Sequence, residues 1–164
     1  RRAGIPLKIA ARKPLALDGD PNVRRDREYY EQVLMPLLRE PGVEFIGEVG
    51  GAAKDRFLGE AMALLFPIRW PEPFGLVMVE ALACGTPVLA LNAGSVPEVI
   101  ENGKTGFVRA DESELCRAAS RLREIDRQTC RRTAEQRFSA ARMASEYEAL
   151  YDELISQNGA RAAA

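Results

Sequence analysis

The chain has 164 residues and a net charge of −1, and 46% of its residues are apolar and 29% are charged. This length supports one domain with a hydrophobic core, and the composition is typical of a globular protein. A net charge near zero offers no electrostatic basis for binding nucleic acid, so we expect no nucleic-acid partner.

The histidine and cysteine content excludes several kinds of site. The sequence has no histidine, which excludes a Ser-His-Asp or Cys-His nucleophile within this chain. Its cysteines, Cys84, Cys116 and Cys130, are too widely spaced for a metal-ligand motif, so we predict no metal site. We interpret them as reduced thiols and expect a cytoplasmic protein. No apolar run approaches the roughly 20 residues that cross a bilayer.

Apolar runs and apolar residues at helical spacing predict strands that alternate with helices. In the first half these are strands at 7–11, 43–46 and 63–66 and helices at 24–39 and 52–61. Pro36 lies inside the first helical pattern, where it either kinks the helix or begins a final turn. Pro41 and Gly42 break the chain before the second strand.

In the second half of the chain, strands and helices continue to alternate. The pattern predicts a helix at 74–84, a strand at 88–91, a short helix that starts at Pro97, and a strand at 106–108. From Asp111 onward the pattern is helical, with breaks near Asp126 and at Phe138. The last helix carries an apolar face formed by Tyr147, Leu150, Tyr151, Leu154 and Ile155. We expect the tail at 159–164 to be frayed.

Strands that alternate with helices are typical of an α/β fold. We predict one parallel sheet, covered by helices on both faces, in a single domain over residues 1–158. In such sheets ligands bind outside the carboxyl ends of the strands.

The segment 70–87 combines the features of an anion site at that end of the sheet. Pro73 has its φ angle preset for a first helical turn, and Gly75 allows a ligand to approach the backbone closely. The free amides of Phe74, Gly75 and Leu76 are expected to point outward along the helix dipole. Such a helix start suits a phosphate or a diphosphate.

Two carboxylates accompany this helix start. Glu80 interrupts the apolar run 76–84, whose pattern predicts a buried helix, and a buried carboxylate without partners is costly. Its partner is either a pair of ligand hydroxyls, as in a ribose diol, or an arginine in a structural salt bridge. Glu72 lies at the mouth of the loop, where an exposed carboxylate favours the helix N-terminus even without a ligand.

Several segments resemble one family in their expected order. Residues 72–76 with Glu80, followed by 83–88, resemble the E-x7-E signature of retaining glycosyltransferases of family four. Residues 94–100, 102–108 and, upstream, 41–49 extend the similarity, which covers roughly residues 7–151. The resemblance implies the C-terminal, donor-binding half of a GT-B fold, a Rossmann-like α/β domain.

The resemblance also implies roles for individual residues. Glu72 is the catalytic carboxylate that contacts hydroxyls of the donor sugar, and Glu80 binds the ribose hydroxyls. The amides of residues 74–76 hold the sugar and the diphosphate. The backbone at Val49 brackets the nucleobase. Lys54 approaches the base or the ribose, with a solvated helix lysine as the open alternative.

The implied reaction transfers a hexosyl group from a nucleoside-diphosphate sugar to an acceptor and retains the configuration at the anomeric carbon. The donor phosphate takes the acceptor proton, so no protein nucleophile, cofactor or metal is implied. Catalysis then depends on orientation and on stabilisation of the leaving diphosphate. Asp18-Gly19-Asp20 superficially matches a D-x-D metal motif, but we interpret it as a surface turn.

The sequence departs from the family pattern at its start. The first strand of the donor half and its G-R…E-K-G clamp are missing, so we expect a domain truncated at its N-terminus and inactive alone. An absent N-terminal domain binds the acceptor in such enzymes and often holds the full-length protein on the cytoplasmic membrane face. The apolar face of the last helix is expected to pack on that domain or to mediate self-association.

Three alternative interpretations stay open. The chain could be a GT-B-type sugar-nucleotide epimerase, although those enzymes usually rely on histidine. It could be a non-catalytic nucleotide-binding or assembly module of the same fold. It could also be a doubly wound domain for another phosphate ligand, in which case Glu80 is not needed for a ribose.

Overall fold

The computed structural model describes residues 3–12 and 21–162, which form an α/β fold with parallel sheets flanked by helices. Contacts divide the chain into two compact units, one that ends at Phe57 and one that begins at Leu58. Each unit has its own parallel sheet. The assignment of residues 1–158 to one domain stays a prediction.

The first unit contains two strands and the helices between them. Its elements are β1 (Leu7–Ala10), α1 (Pro21–Tyr29), a π-helical turn (Tyr30–Leu34), α2 (Met35–Leu38), β2 (Val43–Gly47) and the start of α3 (Gly51–Glu60). β1 pairs with β2 in parallel, with Leu7 opposite Val43. Pro36 lies at the start of α2, so it begins a final turn, one of the two outcomes predicted. It has no N–H to donate, which accounts for the irregular turn before it.

The second unit contains a three-stranded sheet in the order β3-β4-β5. Its strands are β3 (Leu64–Phe66), β4 (Val88–Leu91) and β5 (Gly106–Arg109), and its helices are α4 (Leu76–Ala83), α5 (Val96–Val99), α6 (Glu112–Ala119), α7 (Arg127–Arg137) and α8 (Ala140–Ala162). Asp126 caps α7 by accepting hydrogen bonds from the amides of Gln128 and Thr129, which confirms the predicted helix break.

The strand predictions are confirmed to within one residue at either end. The prediction of one sheet is wrong, because the described strands pair as a sheet of two and a sheet of three. Hydrophobic pattern identifies a strand from its own residues. Pairing depends on backbone hydrogen bonds between distant segments, which the pattern does not contain.

β4 forms the centre of the core in the second unit. All four of its residues are between 0 and 5% exposed, and Met78, Ala81 and Leu82 of α4 are fully buried. A strand covered on both faces has a continuous apolar sequence, and each large side chain buried there contributes about 1.5–3 kcal/mol.

Gly106 brings the backbones of β4 and β5 unusually close. A Cβ atom at this position would collide with the Val88 carbonyl oxygen and lie 2.9 Å from the Val88 carbonyl carbon. The first residue of β5 therefore has to be glycine for β4 and β5 to pair in this register.

Arg127 ties the start of α7 to the end of α3. Its Nη1 donates to the Ala61 carbonyl at 2.8 Å, and its Nη2 donates to the Gly59 carbonyl at 2.6 Å and to Thr86 Oγ1 at 2.9 Å. The buried Thr86 hydroxyl donates in turn to the Leu58 carbonyl at 2.7 Å. One guanidinium thus satisfies carbonyls that a helix C-terminus leaves without partners.

The last helix exposes its apolar face. Six large apolar side chains of α8 are 46–69% exposed: Met143, Tyr147, Leu150, Tyr151, Leu154 and Ile155. The helix continues to Ala162, past Gly159 where we expect the frayed tail to begin, because one glycine costs only about 1 kcal/mol and good helix formers follow it. Packing of this face on another domain or on a second copy stays a prediction. Among the described helices, none has the length and hydrophobicity to cross a bilayer.

Replacing Gly106 by alanine is expected to lower the free energy of unfolding by about 3 kcal/mol or more, because the new methyl group collides with backbone that cannot move aside. Urea denaturation measures the loss. Gly59→Ala is the control, since its Cβ would lie 4.0 Å from the nearest atom, the Cys84 carbonyl oxygen. We expect it to be neutral or stabilising by up to about 1 kcal/mol. Equal stability of the two variants would contradict the close approach.

Replacing Arg127 by alanine is expected to lower the free energy of unfolding by about 2 kcal/mol, because three acceptors lose a charged donor. Thermal and urea unfolding measure the change. Arg131→Ala in the same helix removes only an exposed pair with Glu135 and should cost less than about 0.5 kcal/mol. An Arg127 variant as stable as the Arg131 variant would show that the helix-capping contacts contribute nothing.

Candidate functional site

The predicted site lies where the chain passes from β3 into α4. The helix begins at Leu76, two residues later than predicted, and Gly75 precedes it with φ 72° and ψ 61°. Pro73 therefore lies outside the helix, and its predicted place in the first turn is wrong. A glycine in the left-handed conformation breaks the run of helical torsion angles, so α4 cannot start before it.

Gly75 is required by the protein's own packing. A Cβ atom there would lie 2.5 Å from Met78 Cε and 3.2 Å from Phe66 Cζ. These atoms surround the position of a Cβ atom, and the close approach of a ligand to the Gly75 backbone stays a prediction. The positive φ angle disfavours any residue with a side chain, and the close approach of Met78 and Phe66 adds to that cost.

Glu72 lies at the N-terminus of α4, as predicted. It is half-buried, and its Oε1 accepts a hydrogen bond from the Gly75 amide at 3.2 Å. Its own amide donates to the Trp70 carbonyl at 2.9 Å. A carboxylate at this end of a helix is stabilising by about 0.3–1 kcal/mol. The predicted catalytic carboxylate thus accepts a hydrogen bond from one of the predicted anion-binding amides.

The other two predicted amides differ from that of Gly75. Within the described part of the chain, the amides of Phe74 and Leu76 have no hydrogen-bond partner. Their side chains are 42% and 69% exposed, so solvent reaches this end of the helix. Amides at the positive end of a helix dipole bind anions.

The loop after β4 supports the backbone of Glu72. The Ser95 amide donates to the Glu72 carbonyl at 3.0 Å, and a Cβ atom on Gly94 would lie 2.5 Å from that oxygen. Sequence reasoning missed this support, although both loops follow neighbouring parallel strands and so lie at one edge of the sheet. Ser95 Oγ is buried and has no hydrogen-bond partner among the described residues, which is rare in folded proteins.

Glu80 lies on α4 and is half-buried, so the prediction of a fully buried carboxylate is wrong. The apolar run around it predicts burial on all sides, but α4 buries only the face of Met78, Ala81 and Leu82. Apolar residues on the remaining surface are partly exposed, and they include Leu76. Because Glu80 is only half-buried, desolvation of its carboxylate costs less free energy. The argument that Glu80 requires a dedicated partner is correspondingly weaker.

Val49 and Lys54 belong to the first unit. Val49 is half-buried in the segment after β2, and Lys54 is half-buried in the first turn of α3. The remaining predicted site residues belong to the second unit. Convergence of all seven on one ligand therefore stays a prediction.

Two kinds of reactive centre, a metal-binding cluster and an activated Cys130, are not found in the described part of the chain. No group of three His, Cys, Asp or Glu side chains at 3–12 or 21–162 is placed to hold a metal ion. Asp18 and Asp20 lie outside the described residues. Burial raises the pKa of Cys130 to about 11, so this residue is a thiol at neutral pH and a poor nucleophile.

Comparison with known proteins places these features in a family. The family model described as "Glycosyl transferases group 1" matches residues 26–137. N-acetyl-alpha-D-glucosaminyl L-malate synthase of Bacillus anthracis is 31% identical over 132 residues, which are 76% of this chain and 34% of that protein. The chain spans about a third of the length of the curated relatives it matches.

Solved structures show the same fold. Sucrose-phosphate synthase of Thermosynechococcus elongatus superimposes with a TM-score of 0.73 at 25% identity, over 94% of this chain and 40% of that one. The Anabaena protein HepE, solved in complex with UDP-glucose, gives a TM-score of 0.67 at 25% identity, over 92% of this chain and 43% of that one. Because the family model covers more than half of the chain and the fold is that of GT-B glycosyltransferases, this protein belongs to the group 1 family of glycosyl transferases.

Proposed function

We propose that this chain is the donor-binding domain of a retaining hexosyltransferase that uses a nucleoside-diphosphate sugar. The observation that carries the proposal is the start of α4, where the Glu72 carboxylate, three amides and Glu80 belong to one short segment. The acceptor is proposed to bind to another domain of a longer protein. The three free thiols suit a reducing compartment, and we propose the cytoplasm.

The diphosphate is proposed to bind at the N-terminus of α4. Two amides there have no partner within the described residues, and the helix dipole adds a partial positive charge at the same end. The complex of HepE with UDP-glucose supports a nucleoside-diphosphate sugar as the class of ligand. Amides held in advance towards the leaving diphosphate would stabilise the charge that develops on it.

Glu72 is proposed to contact the sugar rather than the phosphates. A carboxylate repels a diphosphate, so its favourable partner in the donor is a hydroxyl group. Oε1 already accepts the Gly75 amide, and Glu72 makes no other side-chain hydrogen bond within the described residues. Oε2 is then available to accept a sugar hydroxyl while Oε1 keeps the carboxylate oriented.

Glu80 is proposed to bind the ribose diol. It lies four residues after Leu76, so the two share one face of α4 about 6 Å apart along the helix axis. In a nucleoside diphosphate the ribose is bonded directly to the diphosphate. A donor with its diphosphate at Leu76 could thus reach Glu80 with its ribose, and the two carboxylate oxygens match two neighbouring hydroxyls.

The remaining steps of the proposal follow the family resemblance. The backbone at Val49 brackets the nucleobase, and Lys54 approaches the base or the ribose. The donor phosphate takes the acceptor proton, so the proposed reaction needs no protein base, no metal and no cofactor. The contribution of the protein is then orientation of the donor and stabilisation of the leaving group.

Replacing Glu80 by glutamine is expected to weaken nucleoside diphosphate binding about tenfold or more, because two charge-assisted hydrogen bonds to the ribose are lost. Ligand-observed NMR with UDP, GDP and ADP measures the affinities, and we expect one base to be preferred. Glu148→Gln changes an exposed carboxylate on α8 and should bind like the parent chain. Binding of none of the three nucleotides would contradict the proposal and favour a module without a nucleotide ligand.

Replacing Glu72 by alanine should separate the sugar from the nucleotide. We expect the affinity for UDP to stay constant or to rise, since a negative charge near the diphosphate is removed. The affinity for UDP-glucose should fall about fivefold or more relative to UDP, because a hydroxyl contact is lost. Calorimetric titration of both ligands measures the ratio, with GDP and GDP-sugar replacing them if guanine is the preferred base. An unchanged ratio would remove Glu72 from the sugar site.

A further inference from the structure

Phe74 lies in the loop between β3 and α4 (residues 67–75, here the donor loop) and touches an aromatic ring from a distant part of the chain. Its ring and that of Phe138 have centroids 6.0 Å apart and an interplanar angle of 78°, an edge-to-face arrangement. Phe138 lies at the C-terminal end of α7, where its amide donates to the Ala134 carbonyl at 2.9 Å. Such a ring pair stabilises a contact beyond the area that it buries.

Phe138 makes a second contact, with the guanidinium of Arg137. The Arg137 guanidinium carbon lies 4.9 Å from the centroid of the Phe138 ring, within range of a cation–π interaction. Arg137 donates to Glu101 Oε1 at 3.1 Å and to the Glu98 carbonyl at 2.6 Å. The guanidinium is therefore attached to the segment that follows β4, and its contact with Phe138 restrains the ring.

Glu101 stays charged in this arrangement. Lys104 donates to Glu101 Oε2 at 2.5 Å. The hydrogen bond from Lys104, with a smaller contribution from Arg137, holds the pKa of Glu101 below its ordinary value. The ionised carboxylate thus keeps its bond to Arg137 at neutral pH.

The conformation of the donor loop depends on side-chain contacts such as that between Phe74 and Phe138. Phe74 immediately precedes Gly75, whose backbone has the widest torsional freedom of any residue type and adopts φ 72° here. The Phe74 side chain is 42% exposed, so packing around it is incomplete, and the ring contact with Phe138 is one of the contacts that restrain it. A contact that restrains this side chain also restrains the Phe74 backbone, and so limits the directions that the adjacent amides can take.

We propose that Phe138 is a positioning residue of the donor site: its ring, held by Arg137, orients Phe74 and so pre-organises the amides at the start of α4. Phe138 touches no ligand in this inference and acts through Phe74. The inference rests on the proposed function for the identity of the ligand. The restraint on the amides is a property of the ligand-free chain. Pre-organised donors bind more tightly because less ordering is needed when the ligand arrives.

The test compares three variants of this chain. Phe138→Leu keeps an apolar side chain of similar bulk but removes the ring, and Phe138→Tyr keeps the ring. Tyr147→Leu is the control, because it removes one ring of another aromatic pair, Tyr147 with Tyr151, at 6.0 Å on α8. For each variant, ¹H–¹⁵N NMR of the ligand-free protein gives the shifts and hydrogen exchange of amides 74–76, and titration gives the affinity for UDP.

We expect Phe138→Leu to shift these three amides, to speed the exchange of the Gly75 amide, and to weaken UDP binding about two- to tenfold. Phe138→Tyr should restore all three readouts, and the control should change none. If Phe138→Leu lowers the unfolding midpoint but leaves the amides and the affinity at parental values, the inference is wrong. Failure of the tyrosine variant to restore the amide signals would also overturn it.

A double-mutant cycle keeps the test decisive if Phe138→Leu folds poorly. Phe74→Leu removes a half-exposed ring, and we expect it to shift amides 74–76 in the same way as Phe138→Leu. In a Phe74→Leu background, the further change Phe138→Tyr or Phe138→Leu should have little added effect on UDP affinity, because the partner ring is gone. If the effects of Phe74→Leu and Phe138→Leu on the free energy of UDP binding are fully additive, the inference is wrong. If the parent chain binds no nucleotide while the amide shifts still follow Phe138, the proposed function fails and the positioning role stands.

Discussion

The backbone of Gly75 is the constraint on which the rest of the site depends. Its left-handed conformation ends the loop after β3 and starts α4 at Leu76, and Met78 and Phe66 fill the space beside it. This start sets which amides remain without helical partners and so where an anion can bind. It also sets the register of α4, which determines that Glu80 follows Leu76 on the same face.

The loop that precedes α4, where we propose that the donor binds, is held by contacts from separate elements. The Glu72 carboxylate bonds to the Gly75 amide, and the Glu72 carbonyl accepts the Ser95 amide from the loop after β4. Phe74 packs edge-to-face on Phe138 at the end of α7. A loop that carries binding groups gains order in this way from a rigid scaffold, and loss of one contact is expected to loosen the amides before it unfolds the domain.

Much of the fold could be predicted because the relevant signals are local. Strands such as β4 are continuous apolar runs, and their alternation with helical periods predicts a parallel α/β arrangement. Asp126 marks a helix start by its own side chain. The parallel pairing is confirmed, but the number of sheets was predicted wrongly and the burial of Glu80 was overestimated, because both depend on which distant segments reach the element. The supporting roles of Gly94 and Arg127 were missed for the same reason.

Local signals in the sequence predict the α/β class, the described strands to within one residue, the location of the candidate site after β3, and the family resemblance at 72–76 and Glu80. These follow from periodicity and from short motifs, whose information lies within a few consecutive residues. Three features emerge only when the chain is folded: α4 starts after Gly75, Met78 and Phe66 lie beside this glycine, and Phe138 reaches Phe74 across 64 positions of the chain. The physical reason is that close packing brings together residues whose separation along the sequence follows no regular interval.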